Sequence, residues 1–181
     1  MTRKQARSQI QPADLIPWLF DNESLTRRLI NASGNNLGVR VLNQHYAKPL
    51  LCERRTLETD GHQKAYIREV LLMGNGRPWV YARTVIPLST MTGRLQQLKR
   101  LDDKPLGAFL FSFPNMYRKP MQFAKIADQH HVVPQELLDS KDSCWGRRSV
   151  FCIDHKTLLV NEIFLPEFVR FISTAKQGPL S

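Results

Sequence analysis

The sequence has few cysteines and no long hydrophobic run, and both absences limit what the protein can be. The cysteines are Cys52, Cys144 and Cys152, an odd number with no Cys-x-x-Cys pair. This pattern predicts a reducing, cytoplasmic environment and offers no framework for a metal ion. No apolar stretch approaches the roughly 20 residues that span a bilayer, so no stable membrane insertion is expected. The basic N-terminus lacks an apolar core, and we therefore expect no secretory signal.

The sequence also lacks a glycine-rich phosphate motif and a basic stripe interleaved with aromatic residues. The formal net charge is +10, but the basic residues are scattered along the chain in short groups. This distribution favours solubility and attraction of small anions over nucleic-acid binding. With 42% hydrophobic and 23% charged residues, the chain has the composition of an ordinary globular domain. We predict a mobile basic tail over residues 1–10 and a single domain over residues 11–175.

The stretch Tyr66–Pro87 predicts a β-hairpin. Two apolar runs rich in β-branched and aromatic residues flank Asn75-Gly76. Asn-Gly between such runs is typical of a type I′ turn, because both central residues need positive φ. Counting outward from this turn gives the pairs Gly74–Arg77, Leu72–Trp79, Val70–Tyr81 and Arg68–Arg83.

The pair of Arg68 and Arg83 leads to a functional hypothesis. Two arginines that face each other repel. On a solvated face water screens this repulsion, whereas on a covered concave face a bound anion would offset it. Either two solvated arginines or a dianion site would fit the pairing alone. The residues that share this face by alternation are too apolar for open solvent: Tyr66, Val70, Leu72, Trp79, Tyr81 and Val85. A slip of one residue in register would put the two arginines on opposite faces.

Local signals predict further elements on both sides of the hairpin. Ser24 is expected to cap a helix that begins at Leu25, a residue whose spacing suits core packing. Residues 37–46 are predicted to form a strand, and residues 47–64 a loop or an edge strand. An Asp, a Pro and an apolar run then mark a helix start at Leu106. Its unpaired N–H groups suit either an anion or a cap from the preceding Asp103.

The segment after this helix start is predicted to be helical. Residues 115–131 carry Met121, Ala124 and Ala127 at spacings that suit one helix face. The adjacent His130 and His131 point apart on any regular element, so we expect surface residues and not metal ligands. One more helical turn is expected over residues 134–139.

Residues 145–166 predict a second hairpin, because two apolar runs flank a polar turn. If its centre lies at residues 155–156, Ser149 sits opposite Glu162 and Arg147 is a diagonal neighbour. Glu162 then lies on an apolar face, where a carboxylate is costly unless it is paired. Two interpretations remain open for Glu162. It forms a salt bridge to Arg147 or Arg148, or it is directed at a ligand hydroxyl.

Several blocks of the sequence, in order, resemble those of the chorismate lyases. The blocks are Tyr66–Leu72, Gly76–Trp79, Ala82–Pro87, Lys104–Gly107, Trp145–Ser149 and Asn161–Pro166. The similarity covers residues 65–111 and 145–166, and Glu23–Leu29 is the best match nearer the N-terminus. The segment from Ser112 to Cys144 is longer than expected in this family and does not resemble its usual flap.

The resemblance implies a fold, an activity and a set of site residues. The expected fold is a single α+β domain with a six-stranded antiparallel sheet, helices packed on it, and helical flaps over a buried site. The expected activity converts chorismate to 4-hydroxybenzoate and pyruvate at the start of ubiquinone biosynthesis, by a monomer with no metal and no cofactor. By position, Arg68 would bind the ring carboxylate with the Leu106 N–H, and Glu162 would bind the ring hydroxyl. Leu25 would line the pocket, and Arg83 would bind the enolpyruvyl carboxylate.

Other classes of protein stay open at the level of the sequence. The effector-binding domains of some bacterial transcription regulators are similar in fold to chorismate lyases, and such a domain would bind a small molecule without turnover. The absence of a preceding helix-turn-helix pattern favours the enzyme, as do the matched blocks that contain Arg68, Leu106 and Glu162. A nucleic-acid-binding role would rest on net charge alone.

Overall fold

An antiparallel sheet of seven strands forms the centre of the structure. The computed structural model describes residues 1–127, 132–138 and 143–175. The strands are β1 Leu37–Ala47, β2 Ala65–Gly74, β3 Arg77–Pro87, β4 Tyr117–Arg118, β5 Gln122–Ala127, β6 Ser143–Ile153 and β7 Lys156–Phe164. Their order in the sheet is β1-β2-β3-β7-β6-β4, and β5 also pairs with β6. The predicted α+β architecture is confirmed, with seven strands in place of six.

Short helices connect and cover these strands. The α-helices are α1 Arg3–Arg7, α2 Ile16–Leu19, α3 Leu25–Ala32, α4 Leu51–Leu57, α5 Leu106–Leu110 and α6 Pro166–Ala175. The 3₁₀ helices include Ala13–Leu15, Gly93–Arg100 and Gln135–Leu137. Ser24 caps α3 as predicted, since its Oγ accepts a hydrogen bond from the Arg27 N–H. Within the described residues, no helix is long and apolar enough to cross a bilayer.

Two hydrophobic clusters lie side by side on one face of the sheet. One joins α1, α2, α3 and α6 to the strands around Trp79 and Phe164. The other joins α5 and the 3₁₀ helix Gly93–Arg100 to the strands around Ile86 and Leu158. Burial of these apolar faces supplies the main driving force for packing the helices on the sheet. The opposite face is covered in part by α4, whose Leu57 packs against β2 and β3.

The prediction of a mobile tail at residues 1–10 is wrong. Residues 3–7 form α1, which begins with a capping box between Thr2 and Gln5. Ala6 and Ile10 are fully buried in the core cluster that also holds Leu29. The segment looks polar because only one residue per turn faces the core, and this tertiary contact fixes it in place.

The helix predicted over residues 115–131 is also wrong for the part that the structure describes. Residues 117–118 and 122–127 form β4 and β5 against β6, and residues 128–131, with both histidines, lie outside the described residues. Phe123 is buried while its neighbours Gln122 and Ala124 are exposed, which is strand alternation. Residues 47–64 differ as well, since they include α4. The helical turn predicted over residues 134–139 is present as the 3₁₀ helix Gln135–Leu137, and residue 139 lies outside the described residues.

The first hairpin has the predicted turn but a shifted register. Asn75 and Gly76 both have positive φ, at 52° and 76°, and Gly74 pairs with Arg77. A β-bulge then leaves Trp79 as an extra residue on β3. Beyond the bulge Arg68 pairs with Thr84, and Arg83 pairs with Glu69. The predicted pairing of Arg68 with Arg83 is therefore wrong, and the two arginines lie on opposite faces.

The second hairpin turns one residue earlier than predicted. Asp154 and His155 are its central residues, with φ of 48° and 63°, and Ile153 pairs with Lys156. This placement shifts the partner of Glu162 by two residues. Glu162 lies directly opposite Arg147, and not opposite Ser149. The shift is even, so Glu162 keeps the predicted face.

Gly74 provides a test of the packing at the first bulge. A Cβ atom built on Gly74 would lie 2.1 Å from the Trp79 ring, so the indole occupies the space that a side chain would need. Gly74→Ala is expected to lower the free energy of unfolding by about 1–3 kcal/mol because of overpacking. The measurement is urea denaturation, with Gly38→Ala as the control. The nearest atom to a Cβ at Gly38 is 3.9 Å away, which is ordinary contact. Equal stability of the two variants would contradict this account of the bulge.

Candidate active site

A pocket lies between the sheet and the helices α3 and α5. It encloses about 540 Å³ of empty space, part of which is open to solvent. The floor is formed by side chains of β2, β3 and β7 that share one face, and Phe151 of β6 and Arg118 of β4 extend it. Of the described residues that line it, Arg68, Arg118 and Glu162 are charged.

Arg68 lies at the β2 end of the pocket and is only 2% exposed. Its Nη2 donates hydrogen bonds to the carbonyl oxygens of Asp102 (2.7 Å) and Lys104 (3.1 Å). Burial lowers the pKa of Arg68 below its ordinary value, and the charges of Tyr66 and Asp102 partly oppose this shift. The Nε atom is buried and has no hydrogen-bond partner among the described residues. A buried cationic donor without a partner is suited to an anionic ligand.

The first turns of α3 and α5 cover the pocket. Leu25, the first residue of α3, is buried and lines the pocket, as does Leu106, the first residue of α5. The two helices approach at Gly107, where a Cβ would lie 3.1 Å from Ser24 Oγ. Asp103 does not cap α5, because the N-cap residue of this helix is Pro105, which makes no side-chain hydrogen bond. The first turn of α5 is thus left without a side-chain cap.

Glu162 and Arg147 form an ion pair at the β6–β7 side of the site. Arg147 Nε donates to Glu162 Oε2 at 2.6 Å. Arg147 Nη1 donates to the carbonyl oxygens of Trp18 (3.0 Å) and Asp21 (2.7 Å), which ties the N-terminal segment to the sheet. The Arg147 side chain is fully buried, whereas Glu162 is partly exposed and lines the pocket. The two interpretations of Glu162 are therefore compatible, because a carboxylate held by Arg147 still faces the pocket.

Arg83 does not line the pocket. The prediction that it contacts the enolpyruvyl carboxylate is therefore wrong. The bulge turns it to the opposite face, where its Nε bonds Glu53 Oε1 of α4 at 2.9 Å. Its Nη1 bonds Glu69 Oε1 at 2.9 Å, and Tyr81 donates to the same oxygen at 2.5 Å. Hydrogen bonds and charges of Glu53 and Glu69 raise the pKa of Arg83 against the opposing effect of burial. Arg83 anchors α4 to the back of the sheet.

Arg118 is the pocket residue that the sequence reasoning missed. Because a helix was predicted over residues 115–131, the position of Arg118 on β4, opposite Phe151, was not predicted. Its guanidinium carbon lies 4.7 Å from the centre of the Phe151 ring, and Nη1 donates to the Asn22 carbonyl at 3.3 Å. Burial lowers the pKa of Arg118, with the charge of Glu162 raising it and that of Arg147 lowering it. Strand alternation around Phe123 was the signal that could have found it.

This fold and pocket define a small α+β domain with a partly enclosed, charged pocket between a sheet and two short helices. The sequence model of the family described as chorismate lyase matches residues 2–172 of the chain. The chain belongs to the chorismate lyase family. The relatives it resembles are named probable chorismate pyruvate-lyases. The one from Azoarcus sp. (strain BH72) is 41% identical over 84% of both chains. The one from Hydrogenovibrio crunogenus is 39% identical over 85% of this chain and 83% of that one.

Solved structures with a similar fold include a domain of a bacterial transcription regulator and the protein PhnF. The ligand-binding domain of a GntR-family regulator from Bordetella bronchiseptica has a TM-score of 0.55 at 14% identity, over 72% of this chain and 85% of that chain. PhnF from Mycobacterium smegmatis has a TM-score of 0.57 at 16% identity, over 82% of this chain and 66% of that chain. At such low identity the likeness concerns the fold alone.

Proposed function

We propose that the protein converts chorismate to 4-hydroxybenzoate and pyruvate and acts at the start of ubiquinone biosynthesis. One observation carries the proposal most directly. In a member of the chorismate lyase family, the pocket holds a buried arginine with a free donor and, across it, a carboxylate that another arginine holds in place. These groups match the two polar ends of 4-hydroxybenzoate. We also propose that the protein is a cytoplasmic monomer, and the odd number of cysteines fits the cytoplasmic location.

Each polar end of the ligand has an assigned partner. The ring carboxylate binds the Arg68 guanidinium, through the Nε that no described residue uses, and the backbone N–H of Leu106 at the uncapped start of α5. The hydroxyl donates to Glu162. The Leu25 side chain packs on the ring from α3. Apolar side chains of the floor, such as Val70 and Val160, complete a largely dry site.

The reaction needs orientation and charge stabilisation from the protein. The bond between C3 and the ether oxygen breaks, and the C4 hydrogen moves to the methylene carbon of the side chain, which leaves as pyruvate. A C3–C4 double bond forms and the ring becomes aromatic, so atoms and electrons balance without a further reactant. Holding the side chain near the C4 hydrogen supplies the entropic part of the acceleration. Donors at the departing oxygen would stabilise its developing charge.

Incubation of the purified protein with chorismate alone tests the proposal. Formation of 4-hydroxybenzoate and pyruvate in equal amounts is the expected result, measured by chromatography and by a coupled assay for pyruvate. Binding of chorismate without turnover would instead support a sensing domain of the same fold. That alternative is not favoured, because the regulators share only the fold whereas the family match covers nearly the whole chain.

Turnover is expected to need no metal ion or other cofactor. The sequence has neither a metal-ligand cluster nor a glycine-rich phosphate motif, and the reaction is balanced within chorismate itself. Exhaustive treatment with EDTA, followed by gel filtration, should leave the rate of 4-hydroxybenzoate formation unchanged. A rate that disappears after this treatment and returns with a divalent ion would contradict the expectation.

A further inference from the structure

Arg118 is a pocket cation that the roles assigned above do not use. It lies on β4 and Arg68 lies on β2, with β3, β7 and β6 between them in the sheet. Both side chains line the same pocket. The two arginines therefore mark opposite ends of one site. Arg118 has no salt bridge within the described residues.

The charges of the pocket fit a dianion. Arg147 already neutralises Glu162 through an ion pair at 2.6 Å. Arg68 and Arg118 then remain as two positive charges without a carboxylate partner among the described residues. Burial disfavours both charges and lowers both pKa values, so an anion that reaches either group regains part of that cost. Chorismate has two carboxylates, whereas 4-hydroxybenzoate has one.

The position of Arg118 matches the place of the second carboxylate. In chorismate the hydroxyl is on C4, across the ring from the C1 carboxylate, and the enolpyruvyl ether is on the neighbouring C3, meta to that carboxylate. Glu162, which we assign to the hydroxyl, lines the same pocket as Arg118, and its charge raises the pKa of Arg118. Arg118 is held over Phe151 and by the Asn22 carbonyl through Nη1. An arginine has five N–H donors, so these contacts leave donors for a ligand.

We propose that Arg118, which lines the same pocket as Glu162, binds the carboxylate of the enolpyruvyl side chain of the substrate. This inference rests on the proposed function and replaces the role first given to Arg83. It makes Arg118 a residue that distinguishes substrate from aromatic product. Once the ether bond breaks, the second carboxylate leaves with pyruvate, and Arg118 no longer holds the ring.

A pair of stable ligands isolates this contact. The dianion 3-(carboxymethoxy)-4-hydroxybenzoate carries a carboxylate on the ring position of the enolpyruvyl group, and 4-hydroxy-3-methoxybenzoate lacks it. Calorimetry gives the ratio of their dissociation constants for the wild type, Arg118→Gln, Arg118→Lys and Arg148→Gln. Arg148→Gln is the matched control, because it removes one positive charge from β6. The Arg148 side chain bonds Gln122 and Cys52 outside the pocket.

The wild type and Arg148→Gln should prefer the dianion. Arg118→Gln should lose about 10- to 100-fold of that preference, since a hydrogen bond to a charged group is lost, and should bind the methoxy acid as the wild type does. Arg118→Lys should keep part of the preference because it keeps the charge. In chorismate turnover, Arg118→Gln should raise KM while inhibition by 4-hydroxybenzoate stays unchanged.

Two results would overturn the inference. An unchanged ligand ratio in Arg118→Gln means that Arg118 does not contact the second carboxylate. Equal weakening of both ligands means that Arg118 only supports the segment at Asn22. If Arg118→Gln does not fold, the ratio of the two dissociation constants for Arg118→Lys tests the inference. A wild-type ratio in Arg118→Lys would mean that the charge at residue 118 has only a structural role. Absence of chorismate turnover by the wild type would reject the lyase proposal separately, since the ligand ratio does not depend on turnover.

Discussion

Arg68→Ala is expected to weaken binding of 4-hydroxybenzoate and of benzoate by the same amount, about 2–5 kcal/mol, as for truncation of one partner in a buried charge pair. The size of the effect follows from the burial of Arg68 and from the unpaired Nε that faces no other described acceptor. Both acids carry the carboxylate that Arg68 binds, so the loss should not depend on the hydroxyl. Chorismate turnover should fall in parallel.

Calorimetry with the two acids measures this effect, and Arg40→Ala is the control. Arg40 lies on the edge strand β1 and is exposed, so its loss changes the net charge without touching the pocket. Arg68→Lys adds a second comparison, since it keeps the charge but not the planar fork. Arg68 also bonds two carbonyls before α5, so thermal unfolding should accompany each titration. Unchanged affinity of a folded Arg68→Ala protein for benzoate would remove Arg68 from the ligand site.

Glu162→Gln is expected to weaken 4-hydroxybenzoate by about 1.5–3 kcal/mol while benzoate binding changes little. The hydrogen bond from Arg147 uses Oε2, so Oε1 is the atom we assign to the phenol. A glutamine keeps the shape of the side chain but removes the charged acceptor. It also leaves Arg147 buried without its carboxylate, which should lower the free energy of unfolding by as much as about 3–5 kcal/mol.

The surface glutamate Glu167 provides the control for Glu162. Glu167 is partly exposed and pairs with the exposed Arg77 and Arg170, and an ion pair near the surface contributes about 0–1 kcal/mol. Glu167→Gln should therefore change neither the ratio of the two affinities nor the stability by much. If Glu162→Gln lowers stability but leaves the preference for the hydroxylated acid intact, Glu162 serves only as the partner of Arg147.

Local signals in the sequence predicted the turns and several elements correctly. The Asn75-Gly76 turn, the Ser24 cap of α3 and the strand after Leu37 depend on interactions within a few residues, and each is present. The family resemblance supplied the architecture. It also supplied Arg68 and Glu162 as residues of one site, and both line the pocket.

The errors have a common physical origin in contacts distant along the chain. The spacing of Met121, Ala124 and Ala127 is compatible with a helix, but residues 122–127 pair with β6 and therefore form a strand. The burial of Ala6 depends on a cluster that includes residues more than 60 positions away. The face of Arg83 depends on one bulge, which alternation from the turn cannot reveal.

The same bulge limits how the exposed hairpin can change in length. Trp79 is the one extra residue that sets the pairing of every β3 residue beyond it, so inserting a further residue between the turn and Val80 would disturb that pairing. With a bulge of one residue, such an insertion would bring Arg83 opposite Arg68 and away from Glu69. The strand would keep its present register only if the bulge held two extra residues. A surface loop of this kind usually accepts insertions and deletions. Here the register of β3 opposes an added residue between Arg77 and Val80, although none of the three residues before Val80 lines the ligand pocket.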